Sequence, residues 1–257
     1  RGIVKNDFSP QMIEQYVASF ISNQNISSCV IGRDGRPSGK DIAQWVTNAL
    51  TKYGVRVDNC DLATTPTMQL MTEKDKYDGG IVITASHNPI EYNGLKFLQS
   101  DGTFLSPDQC KILFESVDNN LTLNEGERVA SVSNYTSANQ EHISKVFDAK
   151  SIDVKNIRSK KFKVVIDAVN GGASSILPQL CNDLGCDIEM INCAGDGNFT
   201  RVAEPLAENL KDLEKKVVEV GADIGFATDP DGDRLSIVSN TGKAIGEEYT
   251  LVLAFKN

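Results

Sequence analysis

Apolar positions along the first half of the chain switch between a helical and a strand-like period. Met12, Ile13, Tyr16, Val17, Phe20 and Ile21 share one face and predict a helix over 10–22. The unbroken run Cys29-Val30-Ile31-Gly32 predicts a short buried strand. Ser38 stands where an N-cap is expected, and Ile42, Trp45, Val46, Ala49, Leu50 and Tyr53 follow at helical spacing until Gly54 ends the run. A strand over 55–62, a helix opened by Pro66, a buried strand over 79–84, a strand over 95–98 and a helix over 107–117 continue the pattern. Strands separated by helices predict parallel βαβ units.

Residues 118–133 are polar and without a clear period, and a helix over about 134–149 precedes an expected linker near 148–160. The alternation then restarts. Strands are predicted over 162–168, 186–191, 222–228 and 235–238. Helices are predicted over 173–184 and 206–220, the second with Leu206, Leu210, Leu213, Val217 and Val220 inward. The two halves repeat as a pattern and not residue by residue. The chain opens at Arg1-Gly2-Ile3 without an initiator Met and closes inside the apolar run Leu251–Phe255, which predicts a piece of a longer protein.

Composition narrows the function. Of 257 residues, 40% are hydrophobic and 24% charged, the balance of a chain with an ordinary core. No run reaches the ~18–20 apolar residues that cross a bilayer, so no membrane role is expected. Lys plus Arg number 26 against 35 Asp plus Glu, a net charge of −9, which argues against broad nucleic-acid binding but not against a local pocket for a small anion. The six cysteines form no Cys-x-x-Cys, so a zinc site or a disulfide framework is disfavoured. Reduced core thiols and a cytoplasmic setting fit better.

Four segments could carry chemistry. Thr84-Ala85-Ser86-His87-Asn88-Pro89 leaves the end of a buried strand, where α/β sheets bind ligands. An ordinary strand-to-loop turn accounts for it equally well, and no Gly-x-Ser-x-Gly elbow is present. Adjacent side chains leave a strand end in different directions, so a hydrogen bond between Ser86 and His87 is not expected. Asp229-Pro230-Asp231-Gly232-Asp233-Arg234 also follows a strand. Its alternating carboxylates offer the hard oxygen ligands Mg²⁺ prefers, and like charges so close favour a cation over a plain solvated turn. An EF-hand fails, with Arg234 at its sixth position and Asn240 at its twelfth. An Asp-x-Asp nucleophile of the haloacid-dehalogenase type is a second rival. Gly32-Arg33-Asp34-Gly35-Arg36-Pro37-Ser38-Gly39 precedes a helix like an anion-binding loop. A glycine turn with exposed arginines is at least as good a reading, and no P-loop is present. Lys96, in Asn93-Gly94-Leu95-Lys96, is an edge lysine or a member of a site.

Taken in order, these segments resemble the α-D-phosphohexomutase superfamily. Thr-Ala-Ser-His-Asn-Pro around Ser86, Asn-Gly-Leu-Lys ending at Lys96, the Gly-Arg-Asp-x-Arg-x-Ser-Gly loop and Asp-x-Asp-Gly-Asp-Arg from 229 to 234 all match. So do Asp196-Gly197-Asn198-Phe199 and Glu204-Pro205-Leu206-Ala207-Glu208-Asn209-Leu210, and Arg1-Gly2 is similar to the end of the family's N-terminal segment.

The resemblance implies an α/β chain of two consecutive three-layer α/β/α domains with mixed, mostly parallel sheets. Domain I, with the phosphoserine loop, would span 1–150. Domain II, with the metal loop, would span 151–250, and 251–257 would begin a third domain. It implies an isomerase interconverting hexose 1-phosphates and 6-phosphates of mannose, glucose or glucosamine through a hexose 1,6-bisphosphate. Phospho-Ser86 would be the phosphoryl donor and acceptor, and Mg²⁺ would be held by Asp229, Asp231, Asp233 and a Ser86 phosphate oxygen. Lys96 would transfer the proton, His87 would flank the site, and Arg234 and Arg1 would steady the phosphoryl group or Lys96. Pro230 stands where many relatives have Gly and leaves the three carboxylates in place. Leu62-Ala63-Thr64-Thr65-Pro66 and Gly246-Glu247-Glu248-Tyr249-Thr250 resemble phosphoglucosamine mutases most, with phosphomannomutase/phosphoglucomutase members close behind. Outside the family the alternatives are an aspartyl-phosphate phosphatase acting through Asp229 and a binding module without turnover. A piece of this length is expected to be inactive or weakly active.

Overall fold

The structure, a computed structural model, describes residues 1–73, 77–126, 130–246 and 248–256. Contacts divide the chain into a first unit, Arg1–Ala85 with Glu91–Ala138, and a second, Ser86–Ile90 with Asn139–Asn257. Of the segments read from sequence, Glu247 lies outside the described residues. No described helix is long and apolar enough to cross a membrane.

The first unit contains β1 (Gly2–Ile3), α1 (Val4–Asp7), α2 (Pro10–Gln24), β2 (Ser28–Arg33), α3 (Gly39–Lys52), β3 (Arg56–Leu62), α4 (Thr65–Glu73), β4 (Gly79–Ile83), β5 (Tyr92–Asn93), β6 (Leu95–Gln99), α5 (Pro107–Asp118) and β7 (Val132–Asn134). Helix starts follow local chemistry: Ser9 accepts from Met12 N ahead of Pro10, and Ser106 and Gln109 form a capping box ahead of Pro107. The main sheet runs β6-β4-β2-β3-β7. All its pairings are parallel except β4 with β6, whose short connection carries no crossover helix. Ile13, Val17 and Phe20 of α2 and Ile42, Val46 and Leu50 of α3 pack on Cys29, Ile31, Ile81 and Ile83. Met68 and Met71 of α4 pack on Val30, Val82 and Leu98 from the other side. Covered on both faces, β2 and β4 read as continuous apolar runs.

The second unit contains α6 (Ala138–Phe147), α7 (Val154–Lys160), β8 (Lys163–Asp167), α8 (Ala173–Asp183), β9 (Asp187–Ile191), a 3₁₀ turn at Ala207–Asn209, α9 (Lys211–Val220), β10 (Ile224–Thr228), β11 (Leu235–Ser239) and α10 (Glu248–Lys256). Its sheet runs β11-β10-β8-β9, with β8 parallel to β9 and β10, and β11 antiparallel to β10. Leu210, Leu213 and Val217 cover one face over Val165, Ala227 and Val238. Cys181 packs over Val164 and Ile166 on the other.

Several sequence expectations need correction. Ser38 makes no cap hydrogen bond to α3, because its hydroxyl accepts from Asn93 Nδ2 at 2.9 Å instead. The expected linker contains α7, whose first turn is capped by Asp153 accepting from Asn156 N. The helix over 206–220 is broken, with a 3₁₀ turn and then α9 from Lys211. The polar stretch 118–133 leads into β7, an all-exposed edge strand beside β3.

Candidate functional site

The buried run of β4 delivers Thr84 and Ala85 to the carboxyl edge of its sheet, and the chain then turns at Ser86. Ser86 has φ 55°, in the left-handed region that non-glycine residues seldom occupy. Side chains in such conformations persist where surrounding structure holds them, and they cluster at functional sites. Ser86 is 4% exposed. Its Oγ donates to Asp229 Oδ2 at 3.3 Å and lies 3.3 Å from His87 Nδ1. The contact with His87 overturns the sequence expectation, because the left-handed turn cancels the alternation that would have sent the two side chains apart.

The aspartate loop follows β10. One carboxylate oxygen from each of Asp229, Asp231 and Asp233 lies within 4.8 Å of the others, with Asp229 and Asp231 buried and Asp233 exposed. Asp229 is held well above the usual carboxylate range, first by burial and then by the charges of Asp231 and Asp233. Three hard oxygen donors, two of them out of water, suit a divalent cation of the Mg²⁺ type. The loop is fastened on several sides. Arg234 N donates to Asp229 Oδ1 at 3.1 Å, and Gly232 N donates to Asp229 O at 3.1 Å. Gly172 N donates to Pro230 O at 2.7 Å. That approach needs a glycine at 171, where a Cβ would stand 2.6 Å from Pro230 Cα. The Arg234 guanidinium pairs with Glu204.

Two buried ion pairs were not read from sequence as site features. Asp167, at the end of β8, pairs with Arg201 at 2.9 Å, and Arg201 Nη2 donates to Thr228 O at 2.8 Å, one residue before the aspartates. In the first unit Asp34 pairs with Arg36 at 3.0 Å, and both side chains are fully buried. Arg33 is 5% exposed, so the reading of this loop as a turn with exposed arginines is wrong. No local signal reveals the burial of Arg36, because its guanidinium also donates to Tyr92 O, 56 positions away.

Ser86, His87, the three aspartates and Arg234 fall in the second unit. Arg1 and Lys96 fall in the first, on the walls of a groove of about 530 Å³ also lined by Phe8, Met12, Phe97 and Phe114. Lys96 Nζ sits 5.5 Å from the centre of the Phe104 ring.

Comparison with known proteins matches the chain to two domains of one family. Phosphoglucomutase/phosphomannomutase α/β/α domain I matches residues 1–123, and α/β/α domain II of the same family matches 140–242. The chain is 34% identical over 224 residues to a probable phosphoglucosamine mutase of Methanopyrus kandleri, covering 87% of this chain and 48% of that protein. It is 37% identical over 225 residues to a phosphomannomutase/phosphoglucomutase of Pseudomonas putida, covering 87% and 46%. It thus spans about half the length of the curated relatives it matches. A crystal structure of a phosphoglucomutase/phosphomannomutase family protein from Burkholderia thailandensis superposes with a TM-score of 0.79 at 28% identity, over 98% of this chain and 56% of that one. A Thermus thermophilus structure shares the fold, with a TM-score of 0.82 at 19% identity over 99% and 60% of the two chains.

Proposed function

We propose, for a chain that belongs to the phosphoglucomutase/phosphomannomutase family of the α-D-phosphohexomutase superfamily, that it is the phosphoryl-carrying half of a hexose-phosphate mutase, with Ser86 as the residue that gives and recovers the phosphoryl group. The observation that carries this reading is the Ser86 hydroxyl, 3.3 Å from a carboxylate of a converging aspartate triad. We take 1–150 and 151–250 as domains I and II and 251–257 as the opening of a third. Turnover belongs to the complete protein. Six cysteines with no disulfide among the described residues suit a reducing compartment such as the cytoplasm.

Phosphoryl transfer is governed by positioning and charge neutralisation. Asp229, Asp231 and Asp233 would hold Mg²⁺, which supplies charge neutralisation at the transferring group. The left-handed turn at Ser86 aims Oγ toward these carboxylates. When Ser86 carries phosphate, the group gives its phosphoryl to a hexose 1-phosphate or 6-phosphate, and the Ser86 oxygen recovers one from the other end of the resulting bisphosphate. His87 Nδ1 is within reach of the oxygen the phosphoryl leaves. Arg234, oriented by Glu204, adds positive charge to the loop. Lys96 is the candidate to exchange a proton with the sugar hydroxyl, and Arg1 to support the phosphoryl group.

Incubating the complete protein with glucose 1,6-bisphosphate and magnesium and weighing the peptide that contains residue 86 tests this. One phosphate on Ser86 is expected, and none in Ser86→Ala. A folded, active protein that never carries phosphate at Ser86 overturns the reading, and activity surviving Ser86→Ala moves the chemistry to an aspartyl phosphate.

A further inference from the structure

The chain leaves the first unit after Ala85 and re-enters it at Glu91. Thr84 and Tyr92, both in the first unit, flank the Ser86 loop with seven residues between them. Both ends are gripped by one short segment that follows β2. Asp34 N donates to Ile83 O at 3.1 Å, and the Asp34 carboxylate accepts from Thr84 Oγ1 at 2.7 Å through Oδ2. The same Oδ2 accepts from Arg36 Nε at 3.0 Å, and Oδ1 accepts from Arg36 N at 2.9 Å. Arg36 then reaches the far end of the loop, donating from Nη1 to Tyr92 O at 3.1 Å. Ser38 holds the neighbouring Asn93. Thr84 N donates to Gly94 O at 3.0 Å and closes the neck.

Thr84, Asp34 and Arg36 are all 0% exposed. A fully buried ion pair is a weak source of stability, because the desolvation of both charges offsets their attraction. What it supplies is fixed geometry: a carboxylate with oxygens committed to three donors and a planar guanidinium with a set fork. Ser86 sits two residues past the tethered Thr84, in a left-handed conformation with a small intrinsic penalty. Without a fixed neck, the backbone at Ser86 relaxes and the hydroxyl swings away from its aim.

We propose that the Asp34–Arg36 pair, acting through Thr84 and Tyr92, is a positioning device that sets the conformation of the loop carrying Ser86. Its catalytic consequence rests on the reading of Ser86 as the phosphoryl carrier, while its structural consequence does not.

Two experiments separate these. In the chain itself, Thr84→Val keeps the side-chain shape and deletes the tether, and Thr84→Ser keeps the hydroxyl. Hydrogen exchange followed by mass spectrometry is expected to show amides of 86–91 exchanging about tenfold faster in Thr84→Val, in line with losing one bond to a charged group. The rest of the first unit should be unchanged, and Thr84→Ser should restore slow exchange. In the complete protein, kcat is expected to fall about tenfold in Thr84→Val with KM for the hexose phosphate moving less than twofold, and Thr84→Ser to recover it. Unchanged exchange at 86–91, acceleration spread evenly over the unit, or a rise in KM with kcat intact overturns the proposal. Should the unsubstituted complete protein place no phosphate on Ser86, the functional reading fails, and the exchange result still decides the positioning device.

Discussion

In the first unit the strand leading into the serine loop, β4, lies between parallel β2 and antiparallel β6. In the second, the strand leading into the aspartates, β10, lies between parallel β8 and antiparallel β11. The two loops therefore leave equivalent places, beside a parallel neighbour whose end carries a buried acid, Asp34 after β2 and Asp167 in β8. The packing beneath them differs. Every residue of β4 is buried, whereas Ile224 and Phe226 of β10 stay half-exposed, and the second unit's apolar clusters are smaller than the first's. Strand order fixes where each loop emerges. In the second unit, polar ties from Gly172, Arg201 and Arg234 fasten a loop whose strand has the thinner apolar support.

The largest effects should come from the two buried ion pairs. Removing one partner leaves the other as an uncompensated buried charge, at a cost of about 3–5 kcal/mol. Arg36→Met and Arg201→Met should both fall in that range in urea unfolding, because Asp34 and Asp167 are 0% and 1% exposed. Trp45, the single tryptophan, reports on the first unit by fluorescence, and exchange of β8 and β10 amides reports on the second. Lys111→Met removes a partner from Glu115, and with side chains 75% and 60% exposed that lost ion pair should cost about 0–1 kcal/mol. If Arg201→Met costs no more than that lost surface pair, the equivalence of the two clamps is broken.

A steric probe of intermediate size distinguishes the loops further. Gly171→Ala places a methyl against the Pro230 backbone, an overpacking expected to cost about 1–3 kcal/mol and to weaken Mg²⁺ binding by shifting the aspartates. Gly221→Ala is the control. Its φ of +63° carries a backbone penalty, but nothing lies within 4 Å of the new methyl, so magnesium titration calorimetry should match the unsubstituted chain. Equal magnesium affinity in Gly171→Ala would show that the aspartate loop is not held through Pro230.

How these units could be read from sequence follows from which interactions are local. Apolar runs at 29–32 and 79–84 announce strands covered on both faces, and the three aspartates at alternate positions announce a cation-sized cluster without any tertiary information. The burial of Arg36 could not be read that way. Guanidinium groups are usually exposed, and Arg36 is buried because Tyr92, 56 positions away, offers its carbonyl. Ser38 looked like a cap for the same reason, since its competing partner Asn93 is distant in sequence. The Ser86–His87 contact depended on one backbone angle that a strand-to-loop transition does not dictate. β7 has three exposed residues and no apolar face, so only the ladder with β3 defines it.

The smallest effect concerns charge, and it separates the loops by what each needs. In the first unit Asp34 has the guanidinium of Arg36 beside it. In the second, burial first, and then the neighbouring Asp231 and Asp233, hold the Asp229 carboxyl above the usual range. The folded metal-free chain therefore keeps a proton there at pH values where the unfolded chain, with an ordinary carboxylate near ~3.9, has lost it. The folded state binds more protons, so stability is full below the unfolded value and declines as pH rises toward the folded one. Asp229→Asn removes the titration, and its melting temperature should decline less than that of the unsubstituted chain between pH 5 and pH 8, a difference of about 2–4 °C if roughly 1 kcal/mol is at stake. Millimolar Mg²⁺ should raise the melting temperature of the unsubstituted chain more at pH 8 than at pH 5, where protons compete for the carboxylates, and leave Asp229→Asn nearly unmoved. Parallel pH profiles for the two proteins, both equally stabilised by magnesium, would mean that the triad carries no unbalanced charge and that the second loop, like the first, is complete without an ion.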